Sequence, residues 1–133
     1  MNKFLKIGLA GLFLLFLSCD NEKIGTLKIG KITEIKEGRT AENSKYGLSL
    51  RVENINDSRC PTGVMCIWGG TASVEFQLTT TNGKYNFTLD THPNFTNDTV
   101  IEGFKYQLSD VLPYPVFGKE QAKKTVRILV DKK

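Results

Sequence analysis

Two cysteines followed closely by the only tryptophan form the stretch of this chain best suited to chemistry. They lie in DSRCPTGVMCIWGG (57–70), where five residues separate Cys60 from Cys66 and Trp68 comes two residues later. Such a cysteine pair can ligate zinc, exchange disulfides with a partner, or form a structural crosslink. The spacing and the other residues of the chain distinguish among these three roles.

The structural crosslink is favoured over the other two roles. A zinc site needs four donors, or three and a water, and the further soft donor after the N-terminal segment is His92 alone. A redox pair has the form C-x-x-C beside a helix, whereas five residues lie between these cysteines. Pro61 and Gly63 suit the tight turn of a short ring. We therefore predict a Cys60–Cys66 disulfide, with no metal and no cofactor.

The remaining polar residues do not form a recognisable catalytic set. A Ser-His-Asp triad would have to use His92, which stands before Pro93 in a polar loop. The carboxylates are scattered, and none lies in an apolar run of the kind that tunes catalytic acids. The Gly69-Gly70 pair lacks the lysine of a phosphate-binding loop. The sequence therefore favours a protein that is not an enzyme.

Residues 1–18 have the organisation of a signal peptide. Lys3 and Lys6 precede an apolar run over residues 7–17, which is followed by Asp20. A transmembrane helix needs about 20 apolar residues, so a retained span is the weaker alternative. We predict that residues 1–18 are removed.

The end of this segment, FLSC, resembles the lipobox of bacterial lipoproteins. In such proteins the cysteine, here Cys19, is lipidated and becomes the mature N-terminus. The resemblance implies a lipidated cysteine and tether at 19–25 and a folded domain at 26–133. Two or more acyl chains anchor a protein stably. We expect anchoring to a membrane of the cell envelope, with the outer membrane or cell surface favoured over the inner membrane.

Lipidation of Cys19 also accounts for the odd number of cysteines. It leaves an even cysteine pair in an oxidising compartment, where disulfides persist.

The sequence holds 18 Lys and Arg against 14 Asp and Glu, and two of the lysines are removed with the signal peptide. This balance favours no nucleic-acid partner. A C-terminal basic group interrupted by acidic residues is expected to be solvated. It comprises Lys119, Lys123, Lys124, Arg127, Lys132 and Lys133.

Alternating apolar and polar residues dominate the mature chain. They predict strands over 26–35, 46–52, 71–79, 84–90, 100–111 and 125–131. Asn82-Gly83 predicts a type I′ hairpin turn, residues 37–45 predict a polar loop, and 120–123 favour one helical turn. No helical period extends over ten residues. The fold class is therefore all-β, an antiparallel β-sandwich or barrel of about seven strands.

The long connections between strands carry the candidate binding residues. Loops at the ends of a sandwich commonly carry function, and the connections 53–70, 91–99 and 112–124 hold the surplus aromatic residues. We expect Trp68 to pack in the core, with a ligand-stacking platform as the alternative. The candidates for contact with a partner are Arg59, Trp68, Phe95, Tyr114 and Phe117.

Arg59 has two interpretations. It can pair with Asp57 and so close the ring segment, or it can face a partner. We favour the pairing with Asp57.

DSRCP…CIWGG followed by TASVEFQL resembles a motif of a family of small, uncharacterised bacterial lipoproteins. In that family an Asp-Ser-Arg-Cys-Pro segment leads through a short ring to Cys-x-Trp-x-Gly. The later QLSDVLPYP (107–115) is similar to its Leu…Pro-x-Pro segment. The resemblance spans residues 46–131 and departs at Gly69, where the family has Ala. It implies the β fold and the disulfide, and it implies no activity.

These observations lead to one expected function and two alternatives. We expect a lipid-anchored envelope protein that acts as a binding or structural module, with an envelope protein or polysaccharide as its partner. The first alternative is a sugar-binding accessory protein that uses Trp68 and the loop aromatics. The second is a thiol-redox or metal protein that uses Cys60 and Cys66. Asp98-Thr99-Val100 also resembles an O-glycosylation acceptor of some envelope bacteria.

Overall fold

Alternating side chains build two sheets in this protein, whose computed structural model describes residues 24–133. The strands are β1 (Gly25–Thr26), β2 (Ile32–Lys36), β3 (Thr40–Asn43), β4 (Leu48–Asp57), β5 (Ala72–Thr80), β6 (Gly83–Asp90), β7 (Asp98–Ile101), β8 (Phe104–Leu112) and β9 (Thr125–Lys132). One sheet has the order β1-β3-β4-β5-β6, and the other has the order β2-β9-β8-β7. All pairings between these strands are antiparallel except that of β1 with β3.

The core lies between the two sheets and consists of the inward residues of each strand. Val74, Phe76 and Leu78 on β5 are buried, as are the alternate residues of β8 and β9. The rings of Phe87 and Tyr106 meet between the sheets with centroids 5.7 Å apart. The predicted all-β sandwich is therefore confirmed, and the alternative of a closed barrel is wrong.

Nine strands, rather than about seven, occur in residues 24–133. The predicted strand 26–35 is two strands, because the chain crosses from one sheet to the other around Gly30, whose φ is +77°. The predicted loop 37–45 contains β3. Its one apolar residue, Ala41, is fully buried opposite Leu50, and a single inward residue is too weak a signal of alternation to be noticed.

The hairpin turns also differ from the prediction. The hairpin of β5 with β6 is confirmed, but its central residues are Thr81 and Asn82, and neither has the positive φ of a type I′ turn. Positive φ occurs instead at Glu102 and Gly103, at 49° and 80°. This turn divides the predicted strand 100–111 into β7 and β8.

Three connections meet at one end of the sandwich, which we call the loop end. They are residues 58–71 between β4 and β5, 91–97 between β6 and β7, and 113–124 between β8 and β9. The helical turn expected at 120–123 is absent, since that segment is irregular. Within residues 24–133 no helix is long and apolar enough to cross a membrane. The predicted signal peptide and Cys19 lie outside the described residues.

The phenol of Tyr106 generates a prediction about stability. Its side chain is fully buried, and its hydroxyl has no hydrogen-bond partner among the described residues. Burial, with a smaller contribution from Glu102, raises the pKa of this phenol. Because an unpaired buried hydroxyl is costly, Tyr106→Phe should raise the free energy of unfolding by about 1 kcal/mol in urea denaturation.

Tyr85→Phe is the matched control for this measurement. It removes the hydroxyl of a half-buried tyrosine beside Glu102, so it should leave stability unchanged or slightly lower. A loss of stability in Tyr106→Phe would show that the Tyr106 hydroxyl has a partner in solution.

Candidate binding surface at the loop end

A buried carboxylate lies at the base of the loop end. Asp57 is the last residue of β4, and its side chain is 3% exposed. Arg59 donates to both of its oxygens, from Nε at 2.8 Å and from Nη2 at 2.7 Å. Lys124 Nζ lies 3.0 Å from Oδ2 of the same carboxylate. We call these three residues the ion cluster.

The ion cluster joins the first loop, residues 58–71, to the third loop, residues 113–124. Lys124 Nζ also donates to the Pro113 carbonyl at 2.7 Å, so it closes the loop between β8 and β9. The ring of Tyr114 covers the Arg59 guanidinium at 4.5 Å from its centroid. Asp110, on β8, lies 3.6 Å from Arg59 Nη1 at the exposed rim. Two carboxylates thus balance two cations at the junction of the two sheets.

The pKa values in the ion cluster follow from burial and pairing together. Burial alone would raise the pKa of Asp57, but the hydrogen bonds from Arg59 and Lys124 outweigh it and hold the pKa below its ordinary value. Burial likewise opposes the charge of Arg59, yet Asp57 and Asp110 raise its pKa. Asp57 and Arg59 are therefore both charged at neutral pH.

The Cys60–Cys66 disulfide is present, as predicted, with Cα atoms 5.9 Å apart. It closes a ring that is tied to the third loop through backbone hydrogen bonds. Thr62 N donates to the Pro115 carbonyl at 3.0 Å, and Phe117 N donates to the Thr62 carbonyl at 3.0 Å. The ring is thus closed by its own sulfurs and held against the third loop by Thr62.

Gly70 makes the turn by which the chain passes from the ring to β5. Its φ is +70°, and a Cβ there would collide with the Ser58 carbonyl oxygen and come within 2.8 Å of Arg59 Cα. Gly69, in contrast, has no heavy atom within 4 Å of a built Cβ. An alanine at position 69 would therefore fit without a clash.

Trp68 is 55% exposed, so the expectation that it packs in the core is wrong. The inward alternation of β5 begins only at Ala72, and the turn at Gly70 separates Trp68 from it. Its indole lies 6.0 Å from the His92 ring and 6.3 Å from the Phe95 ring, between centroids. The Trp68 ring thus lies at the surface beside two other rings, and its role as a ligand-stacking platform stays a prediction.

Four of the five predicted binding residues come together at the loop end. Trp68, Phe95, Tyr114 and Phe117 are exposed there, with Phe117 at 67%. Sequence reasoning missed the aliphatic residues beside them. We call this set the loop-end surface; it comprises Val64, Met65, Ile67, Trp68, Phe95, Tyr114, Val116 and Phe117.

Arg59, the fifth candidate, is not available for contact with a partner. Its side chain is 6% exposed because Asp57 pairs with it and Tyr114 covers it, as the favoured interpretation expected. Lys124 is also buried, so its placement in a solvated basic group is wrong. The sequence signal that could have revealed it is its position directly before the inward residues of β9.

The chemistry of the cysteine pair is limited by the disulfide. Two sulfurs bonded to each other are not thiolate ligands, and residues 24–133 contain no cluster of three His, Cys, Asp or Glu residues able to hold a metal.

Searches against protein-family models, curated proteins and solved structures gave no match to this chain.

The ion cluster generates a prediction about stability and pH. Asp57→Asn should lower the free energy of unfolding at pH 7 by about 3 kcal/mol, because two buried cations lose their counter-charge. The folded pKa of Asp57 is depressed, so its contribution is complete above the unfolded pKa of about 4 and disappears as pH falls through the folded value. Urea denaturation at several pH values should show the difference between variant and wild type narrowing in acid.

The exposed pair of Glu34 with Arg127 supplies the control. Glu34→Gln breaks an ion pair of 3.5 Å at the surface and should cost less than about 1 kcal/mol. Equal losses for Asp57→Asn and Glu34→Gln would mean that the Asp57 carboxylate is solvated.

The glycine pair generates a second prediction at this site. Gly70→Ala should destabilise the domain and perturb the ring, since its Cβ collides with backbone at a positive φ. Gly69→Ala should be tolerated. Thermal unfolding followed by circular dichroism gives the comparison, and equal melting temperatures for the two variants would contradict the assignment of the turn to Gly70.

Proposed function

We propose that this protein is a lipid-anchored envelope module that acts by binding, with the loop-end surface as its contact site. The observation that carries the proposal is the gathering of exposed apolar side chains on three loops at a single end of the sandwich. Contiguous apolar patches on soluble domains mark interaction sites. The lipid anchor follows from the lipobox resemblance at Cys19.

The loops are held in one arrangement before any partner arrives. The ion cluster and the hydrogen bonds between Thr62 and the third loop fix the first and third loops to each other, and the disulfide closes the ring within the first loop. The Thr71 hydroxyl accepts a hydrogen bond from His92 N at 3.2 Å, which ties the second loop to the first. Because a rigid surface loses little conformational entropy on binding, such loops suit a recognition role.

A sugar-binding role is the second candidate, and the exposed indole of Trp68 favours it. An aromatic face beside polar groups is the usual platform for a pyranose ring, and His92 Nδ1 is already occupied by Asn94 N at 3.2 Å, which leaves Nε2 for a ligand. The fully exposed Met65 and Ile67 offer a sugar no hydrogen bonds. A saturable change in Trp68 emission on adding envelope polysaccharide would support this candidate.

The anchor is tested by the mass of the mature protein. Membrane-purified protein should begin at Cys19 and carry the mass increment of acyl chains, and Cys19→Ser should abolish that increment and release or misprocess the chain. A wild-type protein of unmodified mass would refute the anchor.

The binding surface is tested by capture from solubilised envelope, with protein, glycan and lipid all analysed. Replacing Trp68, Phe95 and Phe117 together with Ala should abolish capture of the bound component. Tyr114 is left in place because it covers Arg59. The control changes Glu75 and Gln77, which point outward on β5, to Ala and should retain capture. The reverse pattern would assign binding to the sheet face.

A further inference from the structure

Two of the three connections at the loop end expose no charged side chain. Residues 58–71 contain one charged residue, the buried Arg59, and residues 91–97 contain no Asp, Glu, Lys or Arg. The exposed charges of the third connection, residues 113–124, are Lys119, Glu120 and Lys123. Moving a charge out of water costs free energy, so a surface that contacts an apolar phase should expose few charges. The first and second loops meet this requirement.

The most prominent side chains of the loop-end surface are aliphatic and project singly. Met65 and Ile67, on either side of Cys66, are fully exposed. A protein partner must match the shape of such projections, whereas fluid lipid adapts to them. Trp68 adds an aromatic ring of the kind enriched at membrane–water interfaces.

From these observations we propose that the loop-end surface lies on the lipid bilayer itself, with Met65, Ile67 and Phe117 inserted at the boundary of headgroups and acyl chains. Lys119 and Lys123 then lie where anionic headgroups would pair with them. This inference rests on the proposed anchor at Cys19 and identifies the bilayer as the partner of the loop-end surface.

The direction of β1 agrees with this orientation. β3 is antiparallel to β4, which ends at the loop end, and β1 is parallel to β3, so β1 enters the sandwich running away from the loop end. Gly25 pairs with Ala41 and, through β4, lies level with Leu78 on β5. From Leu78 to Ala72, at the loop end, β5 covers six residue steps, or about 20 Å.

The length of the tether matches that distance. Cys19 and Gly25 are also six residue steps apart, which can span up to about 20 Å. A lipidated Cys19 can therefore lie level with the ends of the strands, and the loops project beyond that level. Apolar groups of interfacial proteins enter the headgroup and acyl boundary by about 5–10 Å.

The test uses Trp68, the only tryptophan in the sequence, as its probe. The mature acylated protein is reconstituted into vesicles of phosphatidylethanolamine and phosphatidylglycerol, with and without brominated acyl chains. We expect the brominated acyl chains to quench Trp68 emission. Acrylamide, added to the water, should quench Trp68 severalfold less in the vesicle-bound protein than in the unfolded protein without detergent. The Met65→Asp/Ile67→Asp variant should lose the bromine quenching while it stays acylated and vesicle-bound.

The matched control places the same charges away from the loop end. Ile32 and Val100 are partly exposed residues on β2 and β7, and Ile32→Asp/Val100→Asp should leave the bromine quenching of Trp68 unchanged. Equal circular dichroism spectra for both variants and the wild type establish that each is folded.

Several results would overturn the inference. Full acrylamide quenching of Trp68 on vesicles that retain the acylated protein would remove the bilayer contact and leave the proposed anchor intact. Shielding in native envelope membranes but not in vesicles of their extracted lipids would assign the surface to a protein partner. Shielding that increases with the protein-to-lipid ratio would assign it to a second copy. An unacylated Cys19 would remove the anchor and the inference together.

Discussion

The loop end depends on one electrostatic constraint, the burial of the Asp57 carboxylate. A lone carboxylate at 3% exposure would be strongly destabilising, so its position requires cations that are themselves held in place. Arg59 comes from the same segment as Asp57, but Lys124 directly precedes β9, a strand of the opposite sheet. Satisfying one charge therefore fixes the distance between two sheets and the paths of two loops.

The disulfide has a narrower role than the ion cluster. Its ring is short, and on the chain-entropy model such a loop contributes about 2 kcal/mol. The ring is nevertheless oriented by contacts outside itself, through Thr62 and the third loop and through Cys60 N, which donates to the Gly69 carbonyl at 2.8 Å. The crosslink thus limits the shape of the ring, and the ion cluster and backbone pairing determine where the ring points.

The sequence predicted most of the sheet framework and only part of the site. Inward alternation identified the strands around Val74 and Ile128, because each of those strands has several buried residues in register. It missed β3, where Ala41 is the one apolar residue, and it misplaced Trp68, because a single glycine turn interrupts the period before β5 begins. The pairing of Lys124 with Asp57 could not be predicted, since the two residues lie 67 positions apart and only the packed sheets bring them together.

The residues that hold the loops in place are not the residues that the loops expose, so the exposed side chains contribute little to the stability of the fold. The ties between them are made by backbone atoms and by a few buried groups, namely Asp57, Arg59, Lys124 and the disulfide. Met65 and Ile67, fully exposed, contribute almost no packing. Substitutions at such positions would change the chemical character of the loop-end surface while the fold persists, so under the proposed binding role one sandwich can present different contact surfaces.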